Sequence, residues 1–292
     1  MTNQQLETIA RQIRRDIMKM ITKSNSGHPG GSLGMTDIFT ALFFKVMKHN
    51  PKTFPSVDNT DLFFLSNGHI APVWYASLAR TGYFPLSELG TLRKIHSRLQ
   101  GHPATKEGLP GIRIASGSLG QGLSVAVGAA LGFKLDKKEN WVYVLMGDGE
   151  CNEGQIWEAA MNAPHQKVDN LIAFVDRNRL QIDGSTEEVK KLDPFPEKWS
   201  AFGWNVLEIN GHDFSEIIAA IEKAKANKGK GIPTVIIANT VMSKGVPFME
   251  NQAKWHGTPP TKQMEADALQ ILAPTEYGDY DDPNAKTIAA GN

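Results

Sequence analysis

Five short apolar runs constrain this chain more than any other feature of it. Leu62-Phe63-Phe64-Leu65, Val142 to Met146, Leu171 to Val175, Val206 to Ile209 and Thr234 to Ala238 each end abruptly in a polar or glycine-rich loop, and a helical pattern usually follows. Apolar runs of about four to six residues, alternating with helices, are what a parallel sheet buried on both faces requires. The pattern predicts an α/β fold, a parallel sheet sandwiched by helices. The closing loops are Ser66-Asn67-Gly68-His69, Gly147-Asp148-Gly149-Glu150, Asp176-Arg177-Asn178, Asn210-Gly211-His212-Asp213 and Asn239 through Gly245. In open α/β sheets, ligands bind just beyond the carboxyl ends of the strands. These loops therefore predict an active-site rim.

Ahead of the first run, Leu6, Ile9, Ile13, Ile17 and Met20 recur at helical spacing and predict an amphipathic helix over the first twenty residues. Arg11, Arg14 and Arg15 share it and read as a solvated polar face. One domain is expected over residues 1–270, with residues 271–292 as a C-terminal tail; from Thr275 on, Asp, Pro, Gly and Ala dominate without periodicity. With 31 basic and 31 acidic residues, no net charge draws the chain to nucleic acid or an anionic membrane. The lone Cys151 rules out an internal disulfide and favours a reducing compartment. Without an apolar signal core or an 18-residue apolar run, a cytoplasmic protein is expected.

Chemistry concentrates at Gly147-Asp148-Gly149-Glu150. The glycines allow a tight turn and close approach of a ligand, and Asp148 projects where the strand stops. A helix expected over Glu153 to Asn162 can aim amide N–H groups at an anion. A carboxylate beside a helix N-terminus suits a metal–diphosphate pair, because Mg²⁺ wants oxygen ligands shared with phosphates. Asn178 follows the next strand run on a neighbouring loop of the same rim. The Asp148 carboxylate, the Asn178 amide oxygen and the Leu180 carbonyl would give Mg²⁺ (or Ca²⁺ or Mn²⁺) three protein oxygens.

Gly-Asp-Gly followed about thirty residues later by Asn is the signature of thiamine-diphosphate enzymes, and this sequence resembles it closely. The resemblance narrows with Ser26-Gly27-His28-Pro29-Gly30, Ser66-Asn67-Gly68-His69, Gly101-His102-Pro103, Gly117-Ser118-Leu119-Gly120-Gln121-Gly122, Asp176-Arg177-Asn178 and Trp255-His256-Gly257. In this order they resemble the transketolase family over residues 10 to 260. The resemblance implies the thiamine diphosphate-binding fold, specifically its diphosphate domain. It implies that His69 and His256 approach the diphosphate and reacting centre, while His28 and His102 bond donor-sugar hydroxyls and help move protons. Gly117 and Leu119 would meet the aminopyrimidine through backbone atoms. Gly147, Gly149 and Glu150 join Asp148 and Asn178 in the cofactor set. Glu153 matches a carboxylate at the family's subunit interface, or is a first-turn Glu favouring the helix dipole. Ile182 packs on the thiazolium, or is a core residue. His49, His96, His165 and His212 lack such support and read as structural.

Gly30-Gly31-Ser32-Leu33-Gly34 fits a nucleophile elbow in spelling, but no strand precedes it. Transketolases have three domains, and this chain has length for the first, so the resemblance implies half an enzyme. The expected protein is the N-terminal subunit of a split transketolase, paired with a C-terminal, pyrimidine-binding subunit, in an α2β2 assembly. It would pass a two-carbon ketol unit from a ketose phosphate to an aldose phosphate in the pentose phosphate pathway. The alternatives are a half-enzyme for sulfonated or branched sugars, a deoxyxylulose-phosphate synthase-like subunit, or a non-catalytic cofactor-binding subunit.

Overall fold

All five apolar runs become strands of one parallel sheet in the computed structural model, which describes residues 1–290. The strands are β1 (Leu62–Leu65), β2 (Val142–Gly147), β3 (Leu171–Arg177), β6 (Asn205–Asn210) and β7 (Thr234–Asn239), in the order β1-β2-β3-β7-β6. Every pairing in it is parallel. β3 is buried along its whole length and β2 up to its last residue, which explains why these runs are apolar without alternation. β6 lies at an edge and buries only Ile209 fully, in keeping with its mixed sequence. Two further strands, β4 (Leu180–Gln181) and β5 (Gly184–Ser185), form a small antiparallel hairpin. At two residues each they are too short to leave a periodic signal.

The chain divides into two compact units. One contains Val57–Gly68 and Ser116–Thr240, that is, the sheet, the hairpin and helices α5 (Gly122–Leu135), α6 (Gly154–His165), α7 (Thr186–Val189), α8 (Phe195–Ala201) and α9 (Phe214–Lys225). Helices α5, α8 and α9 pack against its strands. The other contains Met1–Ser56, His69–Ala115 and, among the described residues, 241–290. Its helices are α1 (Asn3–Ser24), α2 (Pro29–Gly34), α3 (Thr36–Ala41), α4 (Ala71–Arg80) and α10 (Lys262–Ile271).

Helix α1 starts at a capping box: Gln5 N donates to Thr2 Oγ1 at 3.3 Å, and Thr2 N donates to Gln5 Oε1 at 2.8 Å. Leu6, Ile9, Ile13, Ile17 and Met20 are all fully buried, as their spacing requires. The solvated-arginine reading of this helix fails for two of three residues. Arg11 is exposed, but Arg14 pairs with Asp37 at 2.7 Å, and Arg15 pairs with Asp279 at 2.7 Å and donates to Leu269 O. Helical periodicity carries no information about carboxylates so far away in sequence. Asp16 and Arg80 form a fully buried pair at 2.7 Å, and Arg80 also donates to the carbonyls of Tyr277, Gly278 and Lys286. Those bonds hold the stretch after Thr275 within this unit. No helix among the described residues is long and apolar enough to cross a membrane.

Candidate active site

In the sheet-bearing unit, register places the Gly-Asp-Gly turn. Gly147 pairs with Asp176, so Asp148 leaves β2 at the level where Arg177 and Asn178 leave β3, and Asp148 N donates to Asp176 O at 3.1 Å. The Asp148 side chain is buried. Its Oδ1 accepts from Gly149 N at 2.7 Å; its Oδ2 accepts from Arg179 N at 2.7 Å and from Arg177 Nη1 at 3.3 Å. Burial pushes its carboxyl up to about 6 against the opposing pull of these donors. Asn178 is oriented from both sides: its Nδ2 donates to Asp176 Oδ2 at 2.9 Å, and its Oδ1 accepts from Leu180 N at 2.9 Å. Asp176, also bonded to Thr240 Oγ1, is raised to about 7 by burial, with the nearby Asp148 charge adding to the rise. The amide oxygen of Asn178 is thus fixed in place by Asp176, a role the sequence left unread.

Glu150 is a hub rather than an open carboxylate. Its Oε1 accepts from Ser66 Oγ and from Gly120 N at 2.8 Å, and its Oε2 accepts from Gly147 N at 3.0 Å. One buried side chain thereby ties the loop after β1, the Gly117–Gly122 loop and the end of β2. Gly120 has φ +90°, and a Cβ there would lie 2.8 Å from Glu153 Cβ, so both backbone shape and space require glycine. Gly117 is exposed, Leu119 is half-buried, and Glu153 is exposed, just ahead of α6. That helix begins at Gly154, after a 3₁₀ turn over Gly149–Asn152 that the sequence does not announce. Ile182 is 70% exposed between the strands of the β4–β5 hairpin, so the core reading of it is wrong. A hairpin turn lifts this apolar side chain into the open.

The second group of candidate residues lies in the other unit. His28 caps α2, His256 ends a short turn (Ala253–His256) that packs on α2, His69 sits just ahead of α4, and His102 comes from the Gly101–Pro103 loop. Their rings cluster: centroids are 5.1 Å apart for His28–His69, 5.1 Å for His69–His256, 5.6 Å for His28–His256 and 6.3 Å for His28–His102. Burial first, then the neighbouring rings and Arg93, pushes His28 down to about 4. His69, His102 and His256 are also lowered, with burial the largest cause in each. At neutral pH the cluster is a set of neutral imidazoles, able to accept as well as donate hydrogen bonds. Ser32 of the false elbow is buried in α2 with its hydroxyl on His28 O at 2.7 Å. His49, read as structural, bonds Phe43 O at 2.7 Å and stacks on Tyr83.

Some buried polar atoms at these places have no partner among the described residues. They include Asn67 Oδ1 and Gln181 Nε2 beside the Gly147–Gly149 turn, and His28 Nδ1 in the cluster. Buried polar groups are rarely left unpaired, so these atoms are open to a polar ligand or to water. Asp148 Oδ1 and Asn178 Oδ1 each accept one of the bonds described and keep a further lone pair, which suits a hard cation. No group of three or more His, Cys, Asp or Glu among the described residues could hold a metal. The expected set, one carboxylate, one amide and one carbonyl, is of a different kind.

A family model described as "Transketolase, thiamine diphosphate binding domain" matches residues 5–277. The chain belongs to the transketolase family. A 6-deoxy-6-sulfo-D-fructose transketolase subunit SqwG from Clostridium sp. (strain MSTE9) is 44% identical, over 91% of this chain and 96% of that one. One subunit of an apulose-4-phosphate transketolase from Phocaeicola vulgatus is 40% identical, over 92% of this chain and 94% of that one. Human transketolase is 38% identical, and there this chain covers only 42% of the relative. Among solved structures, Campylobacter jejuni transketolase superposes with a TM-score of 0.88 at 34% identity, over 97% of this chain and 44% of that one. The match to whole subunits bears out the reading of a split-type N-terminal transketolase subunit, an enzyme subunit of the transferase class, with the thiamine diphosphate-binding fold.

Proposed function

We propose that this transketolase subunit transfers a two-carbon ketol unit from a ketose phosphate to an aldose phosphate, together with a separate C-terminal, pyrimidine-binding subunit in an α2β2 assembly. The observation that carries the proposal is the gathering of four neutral histidines in one unit of a chain whose other unit holds the Asp148–Asn178 pair. Asp148, Asn178 and the Leu180 carbonyl would hold a divalent cation, Mg²⁺ or in its place Ca²⁺ or Mn²⁺, and with it the diphosphate. Gly147 and Gly149 give the diphosphate room, and Glu150 serves it through the loops it ties. Gly117 and Leu119 offer backbone atoms to the aminopyrimidine, and the exposed Ile182 offers an apolar surface to the thiazolium. Glu153 faces the subunit interface.

Thiamine diphosphate, when bound, supplies the carbon nucleophile and the electron sink. The chain's own residues position the sugar and move protons. His28 and His102 accept hydrogen bonds and protons from donor hydroxyls; His69 and His256 serve the diphosphate and the reacting centre. The subunit is read as cytoplasmic, with residues 1–270 as the working domain.

The test is reconstitution. The chain alone should show negligible ketol transfer, and the C-terminal partner should restore it; full activity without a partner would refute the split reading. The two subunit-type relatives are named for a sulfonated and a branched sugar, which favours such a donor as the second reading. A reconstituted pair assayed with 6-deoxy-6-sulfo-D-fructose, apulose 4-phosphate and unbranched ketose phosphates decides between them.

A further inference from the structure

Arg93 stands among the candidate residues of the histidine unit, in a stretch where the sequence shows no periodicity. Its backbone is left-handed, with φ 57°, a conformation that is unfavourable for a non-glycine residue. Its N–H donates to Leu99 O at 2.9 Å, closing the loop that leads to Gly101. The guanidinium reaches two other segments: Nη1 donates to Ser26 Oγ at 3.1 Å, and Nη2 donates to Gly101 O at 3.3 Å. Ser26 stands two residues before His28, and Gly101 directly before His102. Nε is buried without an acceptor, and no carboxylate pairs with Arg93 among the described residues. A Cβ on Gly101 would lie 2.7 Å from Arg93 Cζ, so the guanidinium fills the space that this glycine leaves open.

We propose that Arg93 is a positioning residue for the histidine cluster, bracketing the His28 and His102 loops and setting a fixed positive charge beside both imidazoles. The proposal rests on the reading that His28 and His102 serve the donor sugar. A half-buried cation without a carboxylate partner carries a desolvation cost that no ion pair offsets, and such perturbed groups cluster at functional sites. The charged and titratable groups facing the two imidazoles are Arg93, each other, His69 and His256; Tyr75, beside Arg93, stays a neutral phenol because burial raises it. Arg93 is the one group of this set that is charged at neutral pH. Burial is the largest cause of the lowering of His28 and His102, and the charge of Arg93 adds to it in both, keeping the two imidazoles neutral and free to accept from a sugar hydroxyl. The two hydrogen bonds hold the loops at one spacing, and only a forked donor reaches both acceptors.

The decisive experiment follows the imidazole titrations of His28 and His102 by NMR in the full chain, for wild type, Arg93→Met, Arg93→Lys and Gly101→Ala. Donor KM and kcat of each are then measured in the reconstituted pair. Arg93→Met should raise both midpoints by about half a unit or more and cut donor kcat/KM roughly 10- to 100-fold, with acceptor KM unchanged. Arg93→Lys should return the midpoints toward wild type without restoring kcat/KM. Gly101→Ala keeps the charge but displaces the guanidinium from its acceptors, so it should copy Arg93→Lys, and its donor kcat/KM carries the test if Arg93→Met fails to fold. Unchanged midpoints in Arg93→Met would overturn the proposal, as would full donor kcat/KM in Arg93→Lys or in Gly101→Ala. A pair inactive on every ketose, but with shifted midpoints, would refute the proposed function and leave the placement of Arg93 supported.

Discussion

Arg177 Nη1 lies 3.3 Å from Asp148 Oδ2, and both side chains are 2% exposed. The same guanidinium meets Thr186 Oγ1 at 3.0 Å, Glu187 Oε1 at 3.2 Å and Asp193 Oδ1 at 3.0 Å. One buried cation thus links the proposed metal-binding carboxylate to the segment after the β4–β5 hairpin. Removing one partner of a buried pair strands the other, at a cost of about 3 kcal/mol. Arg177→Met should lower unfolding stability by that amount in urea titrations. Asp148→Asn should then cost less in the Arg177→Met background than in wild type. Additive losses in a double-mutant cycle would show that the pair does not couple.

Asp148 and Asn178 are expected to act together as ligands. Calorimetry with thiamine diphosphate should show Mg²⁺-dependent binding that Asp148→Ala and Asn178→Ala weaken by about 100-fold or more. Asp176→Ala should weaken it by roughly 10- to 100-fold, because Asp176 orients the Asn178 amide rather than joining the ligand set. Metal-dependent affinity left intact in Asp148→Ala would remove the basis for the ligand role.

The histidine cluster predicts instability toward mild acid. His28 has a folded value of about 4 against an ordinary 6.5, so between these values the unfolded chain takes up a proton that the folded chain refuses. Stability therefore rises with pH through this window and is lost as pH falls from about 6.5 to about 4. His69, His102 and His256 shift in the same direction and steepen the slope. Urea midpoints measured from pH 7 to pH 4 should fall steadily in wild type and fall less in a His28→Asn/His102→Asn variant. Parallel curves would mean that the cluster does not carry the proton linkage.

The sheet was legible because burial on both faces forces uninterrupted apolar runs, and the rim was legible because each run stops at polar residues. Asp148 and the four clustered histidines stood out by their glycine-flanked motifs, and Asn178 by its spacing from Gly147-Asp148-Gly149. What stayed hidden depends on distant partners or on shape. Arg14 and Arg15 look like a polar face until Asp37 and Asp279 meet them. Ile182 looks like core until a two-residue hairpin turns it outward. Arg93, in an aperiodic stretch, has no motif, and its position is set by a left-handed backbone that no residue type announces. The segment after Thr275 reads as featureless because its composition is silent about the buried Arg80 whose donors it satisfies.

That segment makes a further prediction through Asp279. Its carboxylate accepts from Arg15 Nε at 2.7 Å and Nη2 at 2.8 Å, and from Lys19 Nζ at 3.3 Å. Burial opposes ionisation, but the Arg15 bonds and charge, with Lys19, outweigh it and hold the group down at about 2. A depressed carboxylate stabilises the fold above its unfolded value near 3.8, and that contribution fades as pH falls toward about 2. Because the site is only half-buried, screening leaves about 1 kcal/mol of the shift as stability. Asp279→Asn should lose that amount at pH 7, read as a lower urea midpoint, and the gap to wild type should close between pH 4 and pH 2.5. A gap that stays constant over this range would mean that Asp279 acts through packing rather than through its charge.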